Sequence, residues 1–407
     1  MSVRAGSPLS SPSLRSSLFP LAVLLGLSPL VAGCHTEPAQ GPQDHPDTAD
    51  TADTADTADT ATAQVDADGP GDGDDQAGPT AVSREPLPNE RHFSALRQLT
   101  FGGENAEAYL SFAGDKLIFQ STRNGLSCDQ IFTMGLDGSA PTMVSTGKGR
   151  TTCSYFLPGD DKILYSSTHA AADDCLPNPD HSKGYVWKLY DEFDIYVANA
   201  DGSDPKVLSA SPGYDAEATV SPKGDKIVFT STRDGDPEVY VMNIDGSEVT
   251  RLTDAPGYDG GAFFNSQGTK IVWRANRPKG ADELAKYDEL RNEGLVRPTT
   301  LELMVMNADG SDQHPITSNG AANFGPFWHP DGKRVIFASN LGDPKGRNFD
   351  LYMVDAEQPA DAEQITHSEV FDGFPMFTSD GSQLIFSSNR NQVEQGETNV
   401  FIADWID

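Results

Sequence analysis

Residues 95 to 407 carry a six-fold internal echo, and a repeat of this length fixes an architecture before any single residue is interpreted. An aromatic residue ends an apolar strand ahead of a Ser/Asn-rich turn at Phe119, Tyr165, Phe229, Trp273, Phe337 and Phe386. Successive anchors lie 46, 64, 44, 64 and 49 residues apart. The three shorter intervals fit one four-stranded blade each, and the two longer ones are such a blade plus about twenty inserted residues.

Every unit reads alike. An extended segment begins at Asn105, Thr151, Asp215, Asp259, Asn323 or Asp372 and reaches a Gly-containing turn. It then returns as an apolar strand such as Lys226-Ile-Val-Phe229. Period-two apolar runs around a Gly turn are a hairpin signal. A third strand follows, for example Glu238-Val-Tyr-Val241, and most units continue into an Asp-Gly turn at Asp137, Asp201, Asp245 or Asp309. Gly supplies the positive φ that such turns need. A short fourth strand, as in Val249-Thr-Arg-Leu-Thr253, leads into the next unit.

The last unit stops after its third strand, Asn399-Val-Phe-Ile402, whereas an orphan strand, Ala95 to Thr100, precedes the first. The N-terminal strand is therefore expected to complete the last blade, which removes two exposed sheet edges. The fold class that follows is all-β, a six-bladed β-propeller spanning 91–407. Ahead of it the sequence places a signal peptide at 1–33 and an acidic linker at 34–90.

The strings Ser221-Pro-Lys-Gly-Asp-Lys-Ile-Val-Phe-Thr-Ser-Thr-Arg233, His329-Pro-Asp-Gly-Lys-Arg-Val-Ile-Phe337 and Tyr240-Val-Met-Asn-Ile-Asp-Gly246 resemble the WD-like repeats of TolB-type six-bladed propellers. The resemblance covers about three quarters of the chain. It implies a periplasmic scaffold that binds an outer-membrane lipoprotein. TolB also has an N-terminal α/β domain that nothing here matches, so only the propeller carries over.

The first 34 residues read as an address. Arg4 and Arg15 form a positive region without acids, Leu18 to Leu27 an apolar core too short to span a bilayer, and Val31-Ala-Gly-Cys34 resembles a bacterial lipobox. Cys34 is the expected lipidation site. His35 rather than Asp follows it, which favours the outer membrane by resemblance to sorted lipoproteins. Residues 35 to 90 iterate Thr-Ala-Asp among scattered Pro and Gly with hardly an aliphatic side chain, the composition of a self-repelling, disordered tether. A random coil of that length reaches roughly 40 Å.

The formal net charge is −32, from 61 acidic and 29 basic residues. The tether holds only about a dozen of the excess, so the propeller itself is acidic. Phosphate backbones and anionic lipid are repelled, which leaves envelope proteins, peptides or divalent cations as partners and restricts membrane contact to the lipid anchor. The chain is read as a monomer.

Strand order puts the loops leading into first strands and the loops joining second to third strands on one face, with the Asp-Gly turns on the other. Both insertions, about 169 to 193 and 278 to 301, fall on the first face. The second contains a helical pattern, Asp282 to Asn292, with Leu284, Tyr287 and Leu290 to one side. Long loops on a rigid scaffold are where binding resides. The six positions fourteen residues before each anchor, Asn105, Thr151, Asp215, Asp259, Asn323 and Asp372, form a polar ring; Glu107 and Glu217 lie two residues further on. Such a ring could hold a divalent cation such as calcium, a peptide amine or a basic side chain, or simply line a wet channel. Arg123, Arg233, Arg277 and Arg390, each four residues past its anchor, read as structural, bonding blade to blade.

With Cys34 lipidated, Cys128, Cys153 and Cys175 remain, and Cys128 with Cys175 is the preferred disulfide because both sit in loops. Zinc bound by these cysteines with His169 or His181 matches no familiar spacing. No Gly-x-Ser-x-Gly elbow occurs, so no catalytic residue is named and no cofactor is expected. Resemblance to oligogalacturonate lyases, propellers with a His-rich metal site, supplies the catalytic alternative, for which only His169, His181 and His367 could meet on the loop-rich face. The sequence thus reads as a lipid-anchored cell-envelope propeller that binds a protein or peptide.

Overall fold

A computed structural model describes residues 81–407 apart from 344, 345 and 347, and apart from the side chain of His181. The expected signal peptide, Cys34 and most of the linker lie outside the described residues. The described chain is all β except for one α-helix and a 3-10 turn.

Six antiparallel sheets, one per repeat, stand around a common axis. The first strands, Asn105–Leu110, Thr151–Phe156, Asp215–Val220, Asp259–Phe264, Asn323–Trp328 and Asp372–Phe377, form the inner wall, and each packs on the first strands of both neighbouring blades. All six anchor aromatics on the second strands are 0% exposed, because those strands are sandwiched between adjacent blades. Removing a whole ring of such side chains from water is the main driving force for stacking blade on blade, about 1.5–3 kcal/mol for each large apolar side chain.

The ring closes through the N-terminus. Phe93–Gln98 pairs antiparallel with Asn399–Trp405, Phe93 opposite Trp405 and Gln98 opposite Phe401. Outside it Val82–Arg84 adds a fifth strand to this blade alone, and Glu90 is buried against Arg390 at 2.8 Å. Ordered structure therefore begins about ten residues before the propeller boundary expected at 91. Composition hid this, because a three-residue strand of Val, Ser and Arg looks like the tether that precedes it.

At the Asp-Gly turns the aspartate accepts hydrogen bonds from the backbone and hydroxyl of the serine two residues on, as Asp245 does from Ser247 at 3.0 and 2.6 Å. The glycine does more than bend the chain. A Cβ on Gly202 would lie 2.5 Å from the Val144 carbonyl oxygen of the preceding blade, so the turn also serves as a close blade-to-blade contact.

The two insertions meet. Trp187–Lys188 from blade 2 pairs antiparallel with Leu295–Val296 from blade 4, and the Leu189 amide donates to Gly294 at 2.8 Å. The expected helix forms at Gly280–Arg291, where Tyr287 is buried and its hydroxyl donates to Asp236. Arg291 bonds the Gly235 carbonyl at 2.6 Å. The insertions thus form a cap that spans blade 3.

Closure through the first and last blade has a direct test. Removing residues 82–100 exposes two long strand edges and leaves Arg390 beside Asp372 without Glu90, so equilibrium denaturation should lose its single sharp transition and the protein should aggregate. Removing residues 1–80 alone should leave the transition unchanged.

Candidate binding site in the central channel

All six first strands carry the same irregularity. Their pairing with the second strand slips between the second and fifth residues, for instance between Ala106 and Tyr109 and between Ala216 and Thr219. At the centre of each bulge sits a residue with left-handed backbone: Glu107 at φ 53°, Cys153 at 51°, Glu217 at 56°, Gly261 at 62°, Gly325 at 50° and Phe374 at 51°. Four of the six are not glycine, and each pays roughly 1–3 kcal/mol of strain for it. A bulge re-aims a side chain, and here it points the central residue at the axis.

The polar ring fourteen residues before each anchor does not face the channel. All six residues are 0% exposed and bonded inside their own blades. Ser121 donates to Asn105 at 2.8 Å, Thr151 meets Ser167 at 2.9 Å, and Ser339 donates to Asn323 at 2.8 Å. Asp215 takes Arg233 at 3.1 Å, Asp259 takes Arg277 at 2.6 Å and Asp372 takes Arg390 at 2.6 Å. The recurrent arginines thus bond within a blade, not between blades as the repeat suggested. A one-residue change in which side of a strand faces inward is invisible in a short polar pattern.

The residues that do reach the axis lie two and four positions later. A cavity of about 30 Å³ is lined by Glu107, Cys153, Glu217, Gly261, Gly325, Phe374, Tyr109 and Phe263, with Arg274 at its wall. Below it, Tyr109 touches Tyr155 and, from the opposite blade, Phe263, with ring centroids 5.5 and 5.6 Å apart; Phe263 meets Phe327 at 5.5 Å. These rings floor the cavity on the Asp-Gly side.

Glu217 is the hub of the wall. Its carboxylate accepts from Thr230 Oγ1 at 2.7 Å, Tyr258 Oη at 2.9 Å, the Gly261 amide at 2.9 Å and the Arg274 guanidinium. Both charges are almost fully buried, and Arg274 also lies over Trp187 and Tyr258, 5.1 and 5.6 Å from the ring centroids. Burial alone would weaken the hold of Arg274 on its proton, but the Glu217 carboxylate and the Tyr258 phenol more than reverse this and raise its pKa. Glu107 has no comparable set of donors. Burial pushes its pKa up to about 8, Arg274 pulls the other way, and the charges of Glu217 and Asp129 add to the rise.

Trp187 of the cap completes the enclosure. It is 3% exposed and sits edge-on to Tyr258 and against Phe324, on the blade 4 and blade 5 side of the channel. The cap is anchored at its other end by a disulfide between Cys128 and Cys175, Cα atoms 5.9 Å apart, which joins the loop of blade 1 to the insertion of blade 2. Cys153 lies in the cavity wall, so the three cysteines do not form one metal site. His169 packs on Tyr196 at 4.2 Å, whereas His367 lines a groove with Pro88, Arg91 and Glu363; the two do not meet.

Sequence reasoning missed a second six-part device. A Thr or Ser before each first strand donates to the polar residue that opens the third strand of the preceding blade, as Thr317 to Glu302 at 2.6 Å and Thr100 to Asn399 at 3.0 Å. The signal was present in Ser145, Thr253, Thr317 and Thr366 at equal offsets.

The fold and this capped channel define a six-bladed propeller with a polar, nearly sealed core. Residues 178–297 match the family described as the TolB beta propeller domain, so the propeller is TolB-like there. The chain is similar in structure to a putative TolB from Agrobacterium tumefaciens, at 16% identity over 75% of this chain and 91% of that one, TM-score 0.48. TolB from Acinetobacter baumannii gives 16% identity, 75% and 64% coverage, and TM-score 0.48. An oligogalacturonate lyase in complex with manganese gives 13% identity, 82% and 98% coverage, and TM-score 0.47. No curated protein matches the chain. The architecture rests on the strand pairing above, not on these likenesses.

Two outcomes follow from the wall. Arg274→Ala should destabilise by about 3–5 kcal/mol in urea because it strands the Glu217 charge, while Glu217→Gln combined with Arg274→Met should recover most of the loss. The acids raised by burial, Glu107 to about 8, Glu238 and Asp350 to about 7 and Asp259 to about 6, bind protons more tightly folded than unfolded. Their contribution is present in full below the unfolded carboxylate pKa and is lost as pH rises through the folded values. The melting temperature should therefore rise by several degrees from pH 8 to pH 5. Below that it should fall again, as Asp380, held at about 2 by hydrogen bonds from Thr378 and Ser382, takes up its proton. Scanning calorimetry across pH reads both limbs, and Glu107→Gln should flatten the segment between pH 6 and 8.

Proposed function

We propose that this chain is a protein- or peptide-binding scaffold of the bacterial cell envelope, tethered through a lipid on Cys34, most consistent with the outer membrane, and acting through its loop-rich face. One observation carries the reading. Insertions from two non-adjacent blades, each longer than the ring needs, pair with each other over the channel and are pinned by a disulfide. Ring closure does not use this cap, and elaborated loops on a rigid frame are where recognition is built. The disulfide suits an oxidising compartment, in keeping with the export signal. The acidic surface disfavours nucleic acid and anionic lipid and favours a basic partner.

Photo-crosslinking separates the faces. A benzoyl-phenylalanine at exposed Asp191, beside the cap, should trap an envelope protein in cells, and the same group at Asp245 on the opposite face should not. Capture only from Asp245 would remove the reading. A second arm follows the anchor: Cys34→Ala should move the protein from the membrane fraction to the soluble envelope fraction.

A further inference from the structure

The cavity beneath the cap has a composition that selects a ligand. Glu217 is consumed by four donors, which leaves Glu107, 4% exposed, as the carboxyl able to respond to a guest. Beside it Tyr109, 6% exposed, lines the cavity with a hydroxyl that makes no hydrogen bond among the described residues. Aromatic surface completes the pocket in Phe263 and Phe374. A calcium ion asks for six to eight oxygens, several of them carboxylate. One carboxyl, one phenol and aromatic faces suit instead a compact monocation, held by one charge-assisted hydrogen bond and by the ring quadrupoles.

We infer that the cavity receives a primary ammonium group, either a lysine side chain or a chain N-terminus of the bound partner, paired with Glu107 and Tyr109. This rests on the scaffold reading and names the partner chemistry within it. The available volume, about 30 Å³, admits a small cationic head and not a ring. Charge bookkeeping supports it. Glu217 and Arg274 neutralise each other, so the empty cavity is neutral when Glu107 keeps its proton. An ammonium ion entering without its counter-ion lets Glu107 ionise: the carboxylic acid and the incoming ammonium become an ion pair, and one proton leaves to solvent. The groups facing Glu107 are Arg274, Glu217 and Asp129 by charge, and Tyr109, with Tyr214 and Tyr258 behind it. Arg274 and Glu217 are both bound up in their own pair and keep their charges throughout, so the released proton comes from Glu107.

Titration calorimetry of the 81–407 chain tests this with Nα-acetyl-lysine methylamide for the side chain, glycine methylamide for a terminus, and calcium chloride as the competing class. One or both ammonium probes should bind with Kd of the order of millimolar. About one proton per ligand should be released at pH 6 to 7, read from the dependence of heat on buffer ionisation, and affinity should weaken about tenfold for each pH unit below 8. Glu107→Gln should abolish both signals, and Tyr109→Phe, which keeps the ring, should weaken binding several-fold. Unchanged binding in Glu107→Gln, absence of proton release, tighter binding of calcium, or no heat from either ammonium probe would each overturn the inference. The two proposals fail separately. A partner crosslinked at the cap that binds Glu107→Gln as well as the parent leaves the scaffold intact and removes the ammonium site. Probe binding without any crosslinked partner does the reverse.

Discussion

Everything in this molecule depends on one set of backbone hydrogen bonds, those between Phe93–Gln98 and Asn399–Trp405. A propeller blade is a small, twisted sheet that cannot bury both of its faces alone. Each becomes stable only when two neighbours cover it, and in a linear chain the end blades would lack one. Pairing the first ordered strands with the last turns six marginal units into a ring in which every blade has two neighbours. The buried Glu90–Arg390–Asp372 triad and the stacking of His92 on Trp405 at 4.6 Å sit on this same seam. Polar, directional contacts there fix the register that apolar contacts alone would leave loose.

Closing a ring of six leaves a narrow axis, and the chain handles it by breaking its own regularity. Repeated bulges turn one residue per blade inward, and the chemistry of those six positions decides what the channel is. Two glutamates on blades 1 and 3 face two glycines and a phenylalanine on blades 4 to 6, so a symmetric frame carries an asymmetric core. Arg274 links the two regimes: its guanidinium neutralises Glu217 and its flat faces meet the aromatic rings of the cap. A lysine could supply the charge but not the planar stacking surface.

The blade number, the hairpin order and the closing strand were legible because each is written in apolar spacing and turn glycines, signals that recur six times and average out local noise. The inward-facing residues were named for the wrong offset in part. Asp215, Asp259 and Asp372 recur as conspicuously as Glu107 and Glu217, and only the bulge, which shifts pairing by a fraction of the period, decides which set sees the axis. The insertions were legible as loops on one face. Their mutual pairing was not, since Trp187-Lys188 and Leu295-Val296 are too short to show alternation and meet across more than a hundred residues. The strand Val82–Arg84 escaped for the same reason.

The strap made of the disulfide and the cap has a mechanical consequence. It binds blade 1 to blade 2 covalently and blade 2 to blade 4 by paired strands, so the joints along that arc are clamped twice, once by core packing and once from above. Blades 5 and 6 receive no such clamp among the described residues, and the termini meet in blade 6. Breathing of the toroid is thereby biased to one side, which makes that flank the place where amide protons exchange first and where a pull on the N-terminal leash is felt.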